Sequence, residues 1–158
     1  MDIILDSVDL QILNIMQGNA KIANVELARQ LEMAPSAVLE RVKKLEQKEV
    51  IKGYHTRIDP TAVQQKLLAF IFIKASDGMG STETAKYIAD IPEVQEVHHI
   101  AGEDCFLIKI RTADSAALMN IMRTRLSSIP RIVSTRTTIV LETVKEENTI
   151  MISKPPLS

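Results

Sequence analysis

Apolar positions recur at helical spacing through the first third of the chain and at strand spacing through much of the rest. Val8, Ile12, Ile15 and Met16, with Leu13, form one stripe, because spacings of three and four share a helix face. The pattern predicts a helix over about Ser7–Gln17, capped by Asp6, with Asp9 adding negative charge to its first turn. Gly18-Asn19 ends it, since glycine suits the left-handed position after a helix. A second, short helix is predicted over Val25–Leu31 behind Asn24 as cap, with Leu27, Ala28 and Leu31 inward. Glu32-Met33-Ala34 links it to Pro35. Proline is favoured at the first helical position, so a third helix starts there and runs to about Gln47, burying Val38, Val42 and Leu45. Lys48–Tyr54 then reads as a turn into a short strand, and Ile58-Asp59-Pro60 to Lys66 as a linker.

From Leu67 the period changes. Leu67–Ala75 is almost wholly apolar and predicts a strand buried on both faces or nearly so. Asp77-Gly78-Met79-Gly80 is a loop, and Ser81 or Thr82 caps a helix through Ile91 with Ala85, Ile88 and Ile91 inward, closed by Pro92. Val94–Ile100 is a strand whose imperfect alternation suggests a bulge. Ala101–Asp104 turns the chain into a strand over Cys105–Arg111, with Phe106, Ile108 and Ile110 on one face. Asp114 caps a helix to about Ser128 with Leu118, Ile121, Met122 and Leu126 inward, and Ile132–Leu141 is a long strand. Thr149–Ile152 offers a further strand before Lys154-Pro155-Pro156. Strand-helix-strand-strand-helix-strand is the ferredoxin-like, split βαβ arrangement. The fold class is α+β: an N-terminal winged helix-turn-helix over residues 1–54, a linker over 55–66, and a ferredoxin-like domain over 67–158.

Composition fits this division. Of 158 residues, 46% are hydrophobic but few are aromatic and none is Trp, so two small aliphatic cores are expected, with association as a further source of stability. No apolar run reaches the roughly 20 residues that a membrane span needs. The start, Met1-Asp2-Ile3-Ile4-Leu5-Asp6, lacks a basic leader, so the expected location is cytoplasmic, without a membrane partner. The single cysteine, Cys105, excludes an internal disulfide.

The formal net charge is −1, yet positive charge is concentrated. Residues 1–40 carry only Lys21 and Arg29 as basic groups, whereas Arg41, Lys43, Lys44, Lys48, Lys52 and Arg57 crowd into the next stretch. Such a cluster fits a phosphate-binding face, but on charge alone a solvated helix surface is the favoured reading. A short helix, a tight link and a longer basic helix make a helix-turn-helix, and a following strand makes it winged. A three-helix bundle without a DNA role shares that pattern.

Further motifs resemble one family. Leu5–Gln17 (LDSVDLQILNIMQ), Glu26–Tyr54 (ELARQLEMAPSAVLERVKKLEQKEVIKGY), Ala101–Ile110 (AGEDCFLIKI) and Thr135–Leu141 (TRTTIVL) are similar, in order, to segments of the Lrp/AsnC, or feast/famine, regulators. The resemblance implies a DNA-binding transcription regulator, not an enzyme. It implies homodimers that assemble further into tetramers or octamers, and a small effector, usually an amino acid, held between second domains. It implies no cofactor. Two positions depart from the family pattern. Ala34 stands where Ser or Thr often precedes the proline, and Cys105 holds the place of the Asp in Gly-x-x-Asp.

On the third helix, Ser36, Glu40, Lys43 and Gln47 lie on one side, flanked by Leu39 and Lys44. The N-terminal part of a recognition helix reaches base edges, so Ser36, Leu39, Glu40 and Lys43 are the expected base-proximal set. Leu39 suits a thymine methyl and Glu40 a cytosine amino group. Lys44 reaches phosphate or guanine, Lys48 and Lys52 add salt-dependent affinity, and Arg41 anchors phosphate or the domain itself. In the second domain Gly102 permits a tight turn. Glu103 or Asp104 suits a ligand ammonium, backbone amides of Gly102–Cys105 a carboxylate, and Thr135 and Thr137 supply hydroxyls at the subunit contact. Without the resemblance, a plain hairpin turn is the preferred reading of Gly102-Glu103-Asp104.

His98-His99 does not chelate, because neighbours on a strand face opposite ways, although one of them with Glu96, Asp104 or Cys105 remains a metal option. No nucleophile–base pair, phosphate-binding glycine loop or metal motif is visible. An architectural DNA-binding regulator without an effector is the closest rival reading.

Overall fold

The computed structural model describes residues 4–76 and 82–153. The loop expected at Asp77–Gly80, the capping option Ser81 and the Lys154-Pro155-Pro156 stretch fall outside them. The chain divides into two compact units. One runs to Thr56 and includes the segment from Glu146; the other is Arg57–Lys145. The terminal segment, expected with the second domain, thus groups with the first.

The first unit holds three helices, α1 (Ser7–Gly18), α2 (Asn24–Gln30) and α3 (Pro35–Gln47). Asp6 caps α1 through a reciprocal box: its Oδ1 accepts from the Asp9 amide at 2.9 Å, and Asp9 Oδ2 accepts from the Asp6 amide at 3.2 Å. Gly18 is still helical and Asn19 is the C-cap. Asn24 is not the cap of α2. It is the first helical residue, behind Ala23, and its Nδ2 donates to the Pro35 carbonyl at 2.8 Å, tying α2 to the start of α3. Ile12, Leu27, Ala28, Val38 and Leu45 form the buried centre, with Val42 and Leu31 packed around them. Each of these Ile, Leu and Val side chains contributes roughly 1.5–3 kcal/mol when fully buried, and the Ala28 methyl less.

The link between α2 and α3 is a Schellman turn. Glu32 takes the left-handed position at φ 53°, while the Met33 amide donates to Ala28 O and the Glu32 amide to Arg29 O. Met33 then packs against the core. α3 ends the same way, with Glu49 at φ 55° and the Val50 and Glu49 amides donating to Leu45 O and Glu46 O, both at 2.9 Å.

Because those amides fold back onto the helix, as does that of Ile51, the strand expected within Lys48–Tyr54 does not form. The segment is held instead by Tyr54, whose hydroxyl donates to Glu46 Oε1 at 2.8 Å. Nor does the tail add a strand at Thr149–Ile152. Its Ile150 backbone is clasped by the Gln17 side-chain amide, which donates at 3.0 Å and accepts at 2.7 Å. One side-chain amide imitates one peptide unit and supports no ladder beyond it.

The second unit is β1 (Leu67–Ala75), α4 (Glu83–Ala89), β2 (Val94–His99), β3 (Phe106–Thr112), α5 (Ser115–Thr124), a 3-10 turn at Leu126–Ser128 and β4 (Ile132–Ile139). The sheet order is β2-β3-β1-β4 and every pairing is antiparallel, which is the ferredoxin-like arrangement. The expected bulge in β2 falls between Val94 and Glu96.

Paired residues share a sheet face and faces alternate along a strand. Ala69, Ile71 and Ile73, opposite Ile110, Ile108 and Phe106, pack under Ile88, Leu118, Ile121 and Leu126. The other face of β1 carries Leu68, Phe70 and Phe72. The phenylalanines are only half-buried, so β1 is buried fully on one face, not on both.

Candidate nucleic-acid interface and ligand site

The core contacts of Val38, Val42 and Leu45 set which way α3 faces. They leave Ser36, Leu39, Glu40, Lys43, Lys44 and Lys48 exposed, with Lys52 exposed on the segment that follows. Leu39 is an apolar group left 43% accessible among these polar neighbours. Lys44 Nζ lies 2.7 Å from Glu40 Oε1 one turn away, and this contact holds the Glu40 carboxyl below its ordinary range. Among the described residues Lys43, Lys48 and Lys52 have no ion-pair partner.

Arg41 behaves differently. Its NH1 lies 2.7 Å from Asp6 Oδ2 and 2.8 Å from Asp9 Oδ1, so one guanidinium bridges both carboxylates of the α1 capping box. Of the two roles open to it, anchoring the domain is the one this geometry makes, through NH1. The Asp9 amide, and then Arg41, hold the Asp6 carboxyl below its usual 3.8. Beside this bridge a groove of about 370 Å³ opens over Leu5, Met33 and Ala37, rimmed by Lys44 and Lys48.

In the second unit, the β2–β3 turn carries Gly102 at φ 146°, with nothing within 4 Å of where a Cβ would stand. Glu103 is exposed. Asp104 accepts from Arg136 at 3.0 Å, and the Arg136 guanidinium sits 4.1 Å from the centre of the Phe72 ring. Cys105 is half-buried, its sulfur 3.4 Å from both the amide and the carbonyl of Ala75.

Thr135 and Thr137 pair with Ile73 and Ile71, which puts them on the helix-covered face. Thr135 is exposed there, and Thr137 Oγ1 approaches Met122 Sδ at 3.7 Å. The chain therefore brings Asp104 to Arg136 on the opposite face and does not bring the two threonines to the turn. Sequence reasoning missed Arg136 and Phe72. Period-two alternation does set Arg136 apart from its neighbouring threonines, but only the strand register places it opposite Phe72.

His98 and His99 part as expected. His98 Nε2 lies 3.1 Å from Glu96 Oε2, with Lys109 on the other oxygen at 3.4 Å, while His99 stacks on Phe106 at 5.0 Å. No cluster of three or more His, Cys, Asp or Glu forms among the described residues. No helix there is long and apolar enough to cross a membrane.

Comparison with known proteins matches both units. Residues 5–52 fit a winged helix-turn-helix DNA-binding family and residues 68–150 the Lrp/AsnC ligand binding domain. The leucine-responsive regulatory protein of Haemophilus influenzae is 35% identical over 150 residues, covering 94% of this chain and 90% of that protein. Two solved structures share the fold closely. A Neisseria meningitidis transcriptional regulator in complex with L-Met is 27% identical with a TM-score of 0.86, over 94% of this chain and 97% of the other. The feast or famine regulatory protein of M. tuberculosis complexed with L-methionine is 29% identical with a TM-score of 0.85, over 96% and 100%. A helix-turn-helix with a polar face turned outward, followed by this sheet domain in the same order as in those proteins, leaves one assignment: the chain belongs to the Lrp/AsnC family of DNA-binding transcription regulators.

Proposed function

We propose that this regulator docks α3 in the DNA major groove with Ser36, Leu39, Glu40 and Lys43 towards base edges, and with Lys44, Lys48 and Lys52 towards phosphates. The observation that carries the reading is the exposed polar row on α3, whose opposite side is held by Val38 and Leu45. A homodimer places two such helices in major grooves about 34–36 Å apart, or a multiple of that. Further assembly to a tetramer or octamer bends or wraps the duplex. The sheet face bearing Phe70 and Phe72 is the surface a second subunit covers. On this reading the protein works in the cytoplasm, where a regulator of this family meets its DNA.

An amino acid is the effector on this reading, supported by the L-methionine complexes of two relatives and the name of a third. It shifts assembly, and with it promoter choice, only through different affinities for the assembled states.

A gel-shift titration on the protein's own promoter across salt concentrations tests the docking. Lys43→Ala should weaken binding and relax base preference, and Lys48→Ala should lower the slope of log K against log salt by about 0.9. Unchanged affinity and slope for Lys43→Ala with Lys44→Ala removes the docking. Thermal shift against L-methionine and L-leucine separates a sensor from an effector-independent architectural regulator, because a ligand that binds only the folded state raises the melting temperature.

A further inference from the structure

We propose that the groove beside the Arg41 bridge is a small-molecule site within the DNA-binding unit, for a small monocarboxylate with an apolar body. The body lies on Leu5, Met33 and Ala37, and the carboxylate meets the ammonium groups of Lys48 and Lys44. The site stands without the docking proposed above; its effect on DNA rests on that reading.

Two rows run side by side on α3. Ser36, Glu40, Lys43 and Gln47 form the row proposed to face DNA. Ala37, Arg41, Lys44 and Lys48 repeat the same spacings one residue later, so they lie about 100° further round the helix. This second row lines the groove, and Leu5, Asp9 and Met33 face it from the start of α1 and from the α2–α3 turn. The volume of about 370 Å³ is that of a small-ligand site. Leu5, Met33 and Ala37 are each half-buried, and Leu45 is buried. Such a lining gains from an apolar body that covers it and offers nothing to a phosphate.

The charges decide what that body carries. Both carboxylates of the lining are already answered, Asp9 by Arg41 NH1 at 2.8 Å and Glu40 by Lys44 Nζ at 2.7 Å. Lys48, one turn beyond Lys44 on the same row, has no ion-pair partner among the described residues. The Glu40–Lys44 pair is 67% and 61% exposed and therefore weak, so Lys44 is available to a second anion. Three cations against two carboxylates in the lining leave the uncompensated charge positive, at one end of an apolar floor. That polarity matches an amphipathic monoanion. The ammonium of a zwitterion finds no carboxylate here that lacks a cation.

A ligand held in the groove occupies Lys44 and Lys48, which the docking assigns to phosphates. Each partner thus weakens the other's binding, by the same factor.

The test is calorimetric titration of the full chain, without DNA, with sodium octanoate and with octanamide, its neutral counterpart. The expected result is saturable binding of octanoate and about fivefold weaker binding of octanamide. Lys48→Gln should weaken octanoate binding about fivefold. Ala37→Leu fills the floor and should weaken it about tenfold or more, while leaving DNA affinity in the absence of octanoate unchanged. Because the two variants act on different groups, either one suffices if the other fails to fold. Equal binding of octanoate and octanamide, wild-type octanoate affinity in either folded variant, or no binding by the wild-type chain overturns the site. With octanoate saturating, the gel shift should show weaker DNA binding and a salt slope lower by about 0.9–1.8. Octanoate binding that both variants weaken, beside unchanged DNA binding, upholds the site and overturns the placement of Lys44 and Lys48 on phosphates.

Discussion

Replacing Arg41 by Ala separates the groups that build the DNA-binding unit from the groups that meet DNA. Arg41 lies in the basic stretch, yet its guanidinium bridges Asp6 and Asp9 at 2.7 and 2.8 Å. The Asp6 side chain is 51% exposed, so that half of the bridge is heavily screened, while Asp9 at 17% is sheltered and its half is worth more. Together the two contacts are worth about 1–2 kcal/mol. The capping box itself survives, because Asp6 and Asp9 bind each other's amides without Arg41, but the two carboxylates then face one another without a cation between them. Hydrogen exchange of the α1 and α3 amides is the assay, since it reports the first unit apart from the second. Opening should become roughly 5–30 times more frequent. Lys43→Ala should leave protection unchanged and weaken only DNA binding. The salt slope distinguishes the roles once more: Arg41→Ala should retain the wild-type slope, because no phosphate contact is lost. If Arg41→Ala keeps full protection and instead lowers the slope by about 0.9, Arg41 is a DNA contact and this account of the unit is wrong.

Other expectations follow from the same geometry. The Asp6 carboxyl is held below its usual 3.8 in the folded state, mainly by the Asp9 amide and then by Arg41. The unfolded chain therefore takes up its proton first as pH falls. The stabilisation is complete above that ordinary value and is lost as pH drops through the lower folded one. An acid titration of α1 protection should show that loss, and Asp6→Asn should flatten it. Glu32→Gly relieves a left-handed backbone at φ 53° and should stabilise the first unit by about 0.5–1 kcal/mol, after the extra freedom of glycine in the unfolded chain is subtracted; urea denaturation followed on that unit checks it. Ile71→Ala empties a position with 0% exposure under α4 and α5 and should cost about 2–5 kcal/mol in the second unit. Its loss should appear in β1 amide exchange and leave α3 protection unaltered.

The helices, the four strands of the sheet and their order were legible from local chemistry alone. The stripes at Ile12, Val38 and Leu45, Pro35 as the first residue of α3, Asp6 and Asp114 as caps and the β2 bulge all follow from side-chain period and from which residues satisfy helix ends. The exposed row on α3 follows too, because a helix whose buried residues are known has its outward residues known as well.

What stayed hidden depends on partners distant in sequence. Asn24 has the chemistry of a cap but spends its amide on Pro35 O. The apolar run at Val50-Ile51 makes no strand, because its amides return to α3. Arg41 reads as one more cation until Asp6 and Asp9 come round to meet it. Likewise Arg136, set between two threonines, gains its ring and its carboxylate only when β4 pairs with β1 in one register, since a shift of one residue would turn it to the other face. Period and capping are properties of a few neighbouring residues, and the sequence states them directly. Which distant charge answers another is a property of the closed chain, so only the tertiary structure decides it.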